Sequence, residues 1–327
     1  MSEERTQQVA VNRLSVTVGA FFRAGRERLR LEVVSPNGRM DRVLGEPMVY
    51  RPGLALTGFY SHFASERIQV VGMVEHAYLS TLSPELRKQR ITEIFSLNIP
   101  CMVFCLKLEV FPEVLIAAEE HGTVILQTDM LTRDFTHAAA FVLEELDAPR
   151  CRVYGTMIEV AGMGVLIEGA PGIGKSETAL GLIKRGYALV ADDVTELMRD
   201  ASGKLMARAA EITRNFMEIR GIGIINVPSV FGVTSIRGEK QLDFVVTLKR
   251  QKETDGELDR TGADKLHRVF LGVDVPQLII PVAPGRDLVN LVETAAQEHI
   301  LRASGYDARE ALEQQIKTYH EKQQEVK

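Results

Sequence analysis

Short apolar runs alternate with amphipathic stretches along the first ~130 residues, and polar turns separate them. LRLEVV (29–34), RIQVVG (67–72), IPCMVFCL (99–106) and TVILQT (123–128) have the compactness and β-branched content of strands. SPELRKQRITEIFSL opens with Ser83-Pro84, the chemistry of a helix start, and PEVLIAAEEHG (112–122) closes at Gly122, that of a helix end. RPGLALTG (51–58) is punctuated by Pro and Gly and is expected to be loop. The rhythm predicts a small α/β domain with some parallel strand pairing. A polar turn, TDMLTRD (128–134), precedes the helical pattern FTHAAAFVLEELDAP, so a domain boundary is expected near Leu131.

The second half begins with the strand patterns CRVYGTMIEV (151–160) and GVLIEG (164–169). YALVADD (187–193) follows, then a charged turn, and later LDFVVTL (242–248) and QLIIPV (277–282). MEIRGIGIINV (217–227) is an apolar strand-like run interrupted by Gly221 and Gly223. Residues 249–268 carry almost no apolar side chains and read either as a solvated loop or as a lid over a site. An amphipathic helix, LVNLVETAAQEHILRA, precedes a polar tail. The expected division is residues 1–131, 132–302 and a helical tail, 303–327.

Bulk composition narrows the class. The chain has 327 residues, 45% hydrophobic and 25% charged, enough for two ordinary globular cores. A net charge of −5 argues against nucleic acid as the main partner. Cys101, Cys105 and Cys151 are an odd number of thiols in a large chain, which fits a reducing cytoplasm. The first two lie in an apolar run and are expected to be buried hydrophobes, without the pairing that zinc requires. The start, MSEERTQQ, has no apolar stretch, and no run reaches ~18 apolar residues, so neither a signal peptide nor a membrane span is expected.

Candidate chemistry concentrates at Gly169-Ala170-Pro171-Gly172-Ile173-Gly174-Lys175-Ser176, a G-x-x-x-x-G-K-[ST] phosphate loop between a strand and a helix. The glycines let backbone N–H groups approach a polyphosphate closely, and the helix beginning at the loop adds the positive end of its dipole. Lys175 is expected on the β/γ oxygens and Ser176 on Mg²⁺. The strand YALVADD ends in Asp192 and Asp193: one carboxylate suits the metal, the other can accept a proton from an attacking hydroxyl. Glu218 and Arg220 flank the glycine pair of the next cluster, while Arg286 and Arg260 are cations able to grip phosphate.

These clusters together resemble the HPr kinase/phosphorylase family. The resemblance runs from about residue 45 to about 310, through RPGLALTGF, GAPGIGKSETAL, LVADD, MEIRGIGIINV, LGVDVP and PVAPGR. It implies an α/β chain with a small N-terminal domain and a C-terminal P-loop domain resembling phosphoenolpyruvate carboxykinase. The implied activity is Mg²⁺-dependent phosphorylation of a regulatory serine on HPr, the small phosphocarrier of the sugar phosphotransferase system. ATP, and also pyrophosphate, is the implied donor; the implied reverse reaction is phosphorolysis releasing pyrophosphate, and the implied assembly a homohexamer. Carried onto this chain, Lys175 binds phosphate, Ser176 and Glu218 hold Mg²⁺, Asp193 moves the proton, and Arg260 is the catalytic arginine. Residues 217–226 and 281–286 match segments tied to both reactions and to dephosphorylation respectively. Two departures stand out: Tyr154-Gly155 replaces the family's usual His-Gly, and Ala283 stands where a basic residue is common. Tyrosine titrates near pH 10 rather than ~6.5, so kinase activity with weak phosphorolysis is expected. A kinase of this family with another acceptor, or a nucleotide-binding regulator without catalysis, are the competing readings.

Overall fold

The computed structural model describes residues 15–35, 37–251 and 266–324. The chain divides into two compact units between Ala148 and Pro149.

The first unit contains α1 (Val18–Gly25), β1 (Glu32–Val33), β2 (Val49–Tyr50), α2 (Gly53–Leu56) and β3 (Ile68–Val71). It continues with α3 (Met73–Thr81), α4 (Pro84–Ser96), β4 (Cys101–Phe104), α5 (Pro112–His121), β5 (Val124–Gln127) and α6 (Thr132–Asp147). Its sheet runs β1-β5-β4-β3-β2, parallel from β2 through β5, with β1 antiparallel at the edge. Alternation sorts the strand side chains onto two faces. Ile68, Val70, Cys101, Val103, Val124 and Leu126 pack with Phe21 of α1 and Phe135 of α6. Val71, Met102, Phe104 and Ile125 pack with Ile91 and Phe95 of α4 and Val114 of α5. Burial on both faces explains why these strands read as unbroken apolar runs.

Two expectations change here. RPGLALTG contains the short helix α2, because Ala55 and Leu56 reach the core and draw the segment into a turn. The helix placed after the expected boundary at Leu131 belongs to the first unit. Its residues Phe135, Ala139, Val142 and Leu143, one face at helical spacing, are buried in that unit's core. The polar turn before it is an ordinary strand-to-helix connection, and the chain leaves the unit at the helix's far end.

The second unit holds β6 (Arg150–Tyr154), β7 (Thr156–Val160), β8 (Met163–Gly169), α7 (Lys175–Lys184), β9 (Ala188–Ala191), β10 (Val194–Arg199) and β11 (Leu205–Ala209). Next come β12 (Phe216–Ile219), β13 (Gly223–Asn226), α8 (Val227–Phe231), β14 (Glu239–Gln241) and β15 (Phe244–Arg250). It ends with β16 (Leu266–Phe270), β17 (Val273–Val282), α9 (Leu288–Ala303) and α10 (Ala308–Gln324). A six-stranded sheet, β16-β17-β15-β8-β7-β9, is covered on one face by α7, α9 and the β12–β13 hairpin through Ala179, Leu182, Val292, Met217 and Ile219. The antiparallel sheet β14-β11-β10-β6 covers the other face, and Leu166, Val245, Leu197 and Ala207 fill the space between. β8, β15 and β17 are mutually parallel, and β9, antiparallel to β7, points the same way as β8. The ends of these strands therefore converge on the loop after β8.

CRVYGTMIEV, expected as one strand, is two strands in different sheets, broken at Gly155. A Cβ on Gly155 would sit 2.9 Å from the Ile167 carbonyl oxygen, so only glycine permits the crossing. The charged turn expected after YALVADD is β10 instead. Cys101, Cys105 and Cys151 are buried free thiols, and desolvation pushes them up to about 12, 11 and 11 respectively. No helix among the described residues is long and apolar enough to cross a membrane.

If α6 completes the first core, a fragment of residues 15–148 will melt cooperatively by circular dichroism, whereas one ending at 131 will not. Within the full chain, Phe135→Ala should cost about 3–5 kcal/mol in urea unfolding. A cooperative melt of the shorter fragment would show that α6 is dispensable.

Candidate active site

The loop between β8 and α7 is built for close backbone approach. Gly169, Gly172 and Gly174 have φ of +150°, +73° and +110°. A Cβ on Gly169 would lie 2.7 Å from the Leu248 carbonyl oxygen of the neighbouring strand. Gly174 precedes α7 without any side-chain cap, leaving the first-turn N–H groups for a ligand. Lys175, only 9% exposed, has no hydrogen-bond or ion-pair partner among the described residues. A buried cation without a partner is costly in the absence of an anionic ligand.

The two neighbouring aspartates have opposite environments. Asp192 is buried; its Oδ1 accepts from Thr156 Oγ1 at 2.8 Å and Ser176 Oγ at 3.0 Å, and its Oδ2 from the Glu218 amide at 3.3 Å. Burial raises its pKa against the opposing effect of the two hydroxyls, and the Asp193 charge raises it further. Asp193 is exposed and faces the cavity. Its φ is +61°, and a 2.7 Å bond from the Val194 N–H to the Asp192 carbonyl closes a γ-turn around it. Such a conformation is strained for a residue with a Cβ, and strain of this kind clusters at functional sites.

MEIRGIGIINV forms the β12–β13 hairpin, in which Glu218 pairs with Ile224 and Ile219 with Gly223. Met217 and Ile219 point into the core while Glu218 and Arg220 point outward. The Arg220 guanidinium lies 3.4 Å from where a Cβ on Gly172 would be, so the hairpin tip overhangs the phosphate loop.

A cavity of about 780 Å³ gathers Tyr154, Gly169, Pro171, Gly172, Gly174, Lys175, Ser176, Asp193 and Glu218. Ala170 and Ile173 belong to the loop but do not line this space. The oxygens of Ser176, Asp193 and Glu218 are the hard donors that a divalent cation such as Mg²⁺ takes. Three or more His, Cys, Asp or Glu side chains do not converge as a metal cage among the described residues. Arg260 lies outside the described residues. Arg286 is exposed, donates to the Pro281 carbonyl at 2.9 Å, and is not among the lining residues.

Glu168, Arg268 and Phe270 also line the cavity. No motif marks them, because Glu168 is one letter inside a strand pattern and Arg268 sits in a run of charges. Nothing in the linear order brings the two together.

Residues 16–143 match the family model described as HPr Serine kinase N terminus, and residues 145–316 match HPr Serine kinase C-terminal domain. The HPr kinase/phosphorylase of Caldanaerobacter subterraneus is 40% identical over 290 residues, 88% of this chain and 94% of its own. That of Clostridium perfringens is 41% identical over 269 residues, 82% of this chain and 87% of its own. A solved chain, the Hpr(Ser) kinase/phosphatase from Coxiella burnetii, is 33% identical and covers 49% of this chain and 97% of its own, with a TM-score of 0.44.

Strain at position 193 sets an order of stability among variants there. Asp193→Gly should be more stable than Asp193→Ala by about 0.5–1 kcal/mol in urea denaturation, since glycine accepts the positive φ. The opposite order would show that the turn is unstrained.

Proposed function

The chain belongs to the HPr serine kinase family, and from that premise we propose that it phosphorylates a serine of HPr from ATP, with Mg²⁺ held beside Ser176 and Glu218. The observation that carries this reading is the buried Lys175 at the phosphate loop, without a partner among the described residues, with Asp193 and Glu218 across the same cavity. The all-oxygen donor set suits Mg²⁺, which at nucleotide sites takes few protein ligands and fills its shell with phosphate and water. When bound, Mg²⁺ neutralises phosphate charge between donor and acceptor.

The residues divide the work. Lys175 and the first-turn amides of α7 bind the β/γ phosphates and orient the transferred phosphorus. Asp192 holds the Ser176 hydroxyl and the Glu218 backbone in place. Asp193 takes the proton from the serine Oγ while the Oγ–P bond forms and the bond to the ADP oxygen breaks, its electrons leaving with ADP. In reverse, orthophosphate attacks the phosphoserine, a P–O–P bond forms, and protonated Asp193 returns the proton to the departing Oγ, releasing pyrophosphate. Pyrophosphate is a second donor by the same chemistry. Arg260 supplies a further cation to the transferring group. Cytoplasmic location suits the free buried thiols, and a homohexamer is the proposed assembly.

Tyr154 pairs in register with Val194, next to Asp193, and is exposed toward the cavity. A phenol there can hydrogen-bond phosphate, but it is not the acid–base group that imidazole is. Ala283 contributes no charge. Phosphorolysis is therefore the weaker direction.

Incubation of HPr with this protein, Mg²⁺ and ATP should yield phosphoserine by mass spectrometry, and Asp193→Asn should slow it by about 10²–10⁴-fold. Unmodified HPr, with ATP still turned over on another acceptor, would replace HPr in this reading. Separately, Tyr154→His should raise phosphate-dependent pyrophosphate release roughly tenfold while changing the forward rate little. Equal forward and reverse rates in the unaltered chain would remove the role given to Tyr154.

A further inference from the structure

Glu168 is out of place for a polyphosphate site. It is the last side chain before the phosphate loop, it is 8% exposed, and it lines the cavity that holds Lys175. Its Oε1 lies 3.3 Å from Nη2 of Arg268. Arg268 is on β16, at the edge of the sheet, with β17 and β15 between it and β8. The guanidinium therefore reaches across two strands to meet the Glu168 carboxylate.

The register explains how. Glu168 pairs with Thr247, Thr247 with Ile279, Gln277 with Val245, and Arg268 with Val275. All four polar side chains fall on the face that packs against the second sheet and step diagonally across it, Glu168 and Thr247 at the phosphate-loop end, Gln277 and then Arg268 successively further from it. On each of the four strands the next residue on this face, away from the loop, is apolar, and Leu166, Val245, Val275 and Phe270 form one buried cluster. Gln277 Nε2 donates to Thr247 Oγ1 at 2.7 Å within the row. A polar row on top of an apolar cluster allows an extended arginine to lie across it, with its guanidinium 5.6 Å from the Phe270 ring centre.

The charges decide what the pair does. The cavity is lined by the cations Lys175, Arg220 and Arg268 and the anions Glu168, Glu177, Asp193 and Glu218. Of the anions, Glu168 is covalently next to the loop and has no part in the proton transfer or the metal set. Left unpaired, it would repel every phosphate brought to the loop. We infer that Arg268 is a positioning residue that cancels the Glu168 carboxylate at the root of the phosphate loop and thereby sets the cavity's affinity for polyphosphate. The inference rests on reading this cavity as a polyphosphate site. It requires a definite order of affinities: losing the cation weakens binding, losing the anion does not, and losing both restores it.

Isothermal titration calorimetry of the full chain with pyrophosphate and Mg²⁺, and with β,γ-methylene ATP, tests that order, with thermal midpoints measured on the same samples. Arg268→Gln should raise Kd roughly tenfold, the size of an uncompensated charge several ångströms away at intermediate dielectric. Glu168→Gln should bind at least as tightly as the unaltered chain, and the double variant should return to within about threefold of it. A double variant as weak as Arg268→Gln alone would overturn the inference, because the arginine would then act on phosphate directly or only on the fold. The double variant removes the Glu168 carboxylate together with the cation that faces it, so it tests the pair even where Arg268→Gln alone fails to fold. Absence of binding by the unaltered chain would instead overturn the polyphosphate reading, and the inference with it.

Discussion

One buried carboxylate holds the working end of the second unit together. Asp192 accepts from three groups on three separate elements: Thr156 at the start of β7, Ser176 in the first turn of α7, and the Glu218 amide on β12. Burying a carboxylate costs several kcal/mol, and hydrogen bonds to a charged acceptor return about 1.5–3 kcal/mol each. Two donors would leave the balance poor. With three, the sheet, the phosphate loop and the hairpin are fixed relative to one another by a single atom pair. The direction of the Asp192 pKa, raised by burial despite its donors, shows that desolvation is not fully compensated. Asp192 is a poor candidate for exchanging protons with substrate, since three donors tie it to the scaffold and it does not line the cavity.

That commitment frees its neighbour. β9 ends at Ala191 and β10 begins at Val194, so the chain passes from one sheet to the other through Asp192 and Asp193 alone. β6 and β7 make the same passage through Gly155. The two crossings are bonded together, Gly155 N–H to the Asp193 carbonyl at 2.9 Å and Thr195 Oγ1 to the Gly155 carbonyl at 3.0 Å. A glycine absorbs the bend at one crossing. At the other an aspartate does so with a positive φ, and its carboxylate is presented at the cavity rather than to a neighbour. Strain of about 1–3 kcal/mol at that point is the expected consequence of needing a side chain where geometry favours none.

Much of this was legible in the chain and some was not, for reasons that can be named. The phosphate loop is contiguous, so its spacing carries its meaning, and the parallel strands of the first unit declare themselves by unbroken apolar runs. The split of CRVYGTMIEV is invisible to a pattern reader because both halves alternate correctly, and only Gly155 hints at the break. The sheet formed by β6, β10, β11 and β14 shows weakly, since its outer face is charged: Arg152, Glu196, Arg208 and Glu239 stand opposite one another across it. The aspartate pair could be placed but not divided, because adjacent letters give no sign of which one the fold will bury. The polar turn before α6 does not mark the domain boundary, because such a turn ends an element, not a core, and α6 completes the first core.

The cavity exists because the covers on the two faces of the six-stranded sheet meet over its loop-bearing edge. From the helical face come the first turn of α7 and the hairpin with Glu218 and Arg220; from the sheet face come Val153, Tyr154, Arg268 and Phe270. The phosphate loop and Asp193 lie between. The helical side brings Lys175, Glu218 and Arg220, the sheet side Tyr154 and Arg268, and neither layer alone has a complete site. Glu168, at the end of the central strand β8, is where the two contributions touch: its backbone leads into the phosphate loop, while its side chain belongs to the face on which Arg268 lies. A carboxylate there is tolerable only if that second face answers it with a cation. The sheet-facing layer is thus electrostatically part of the phosphate site, although no sequence motif marks it.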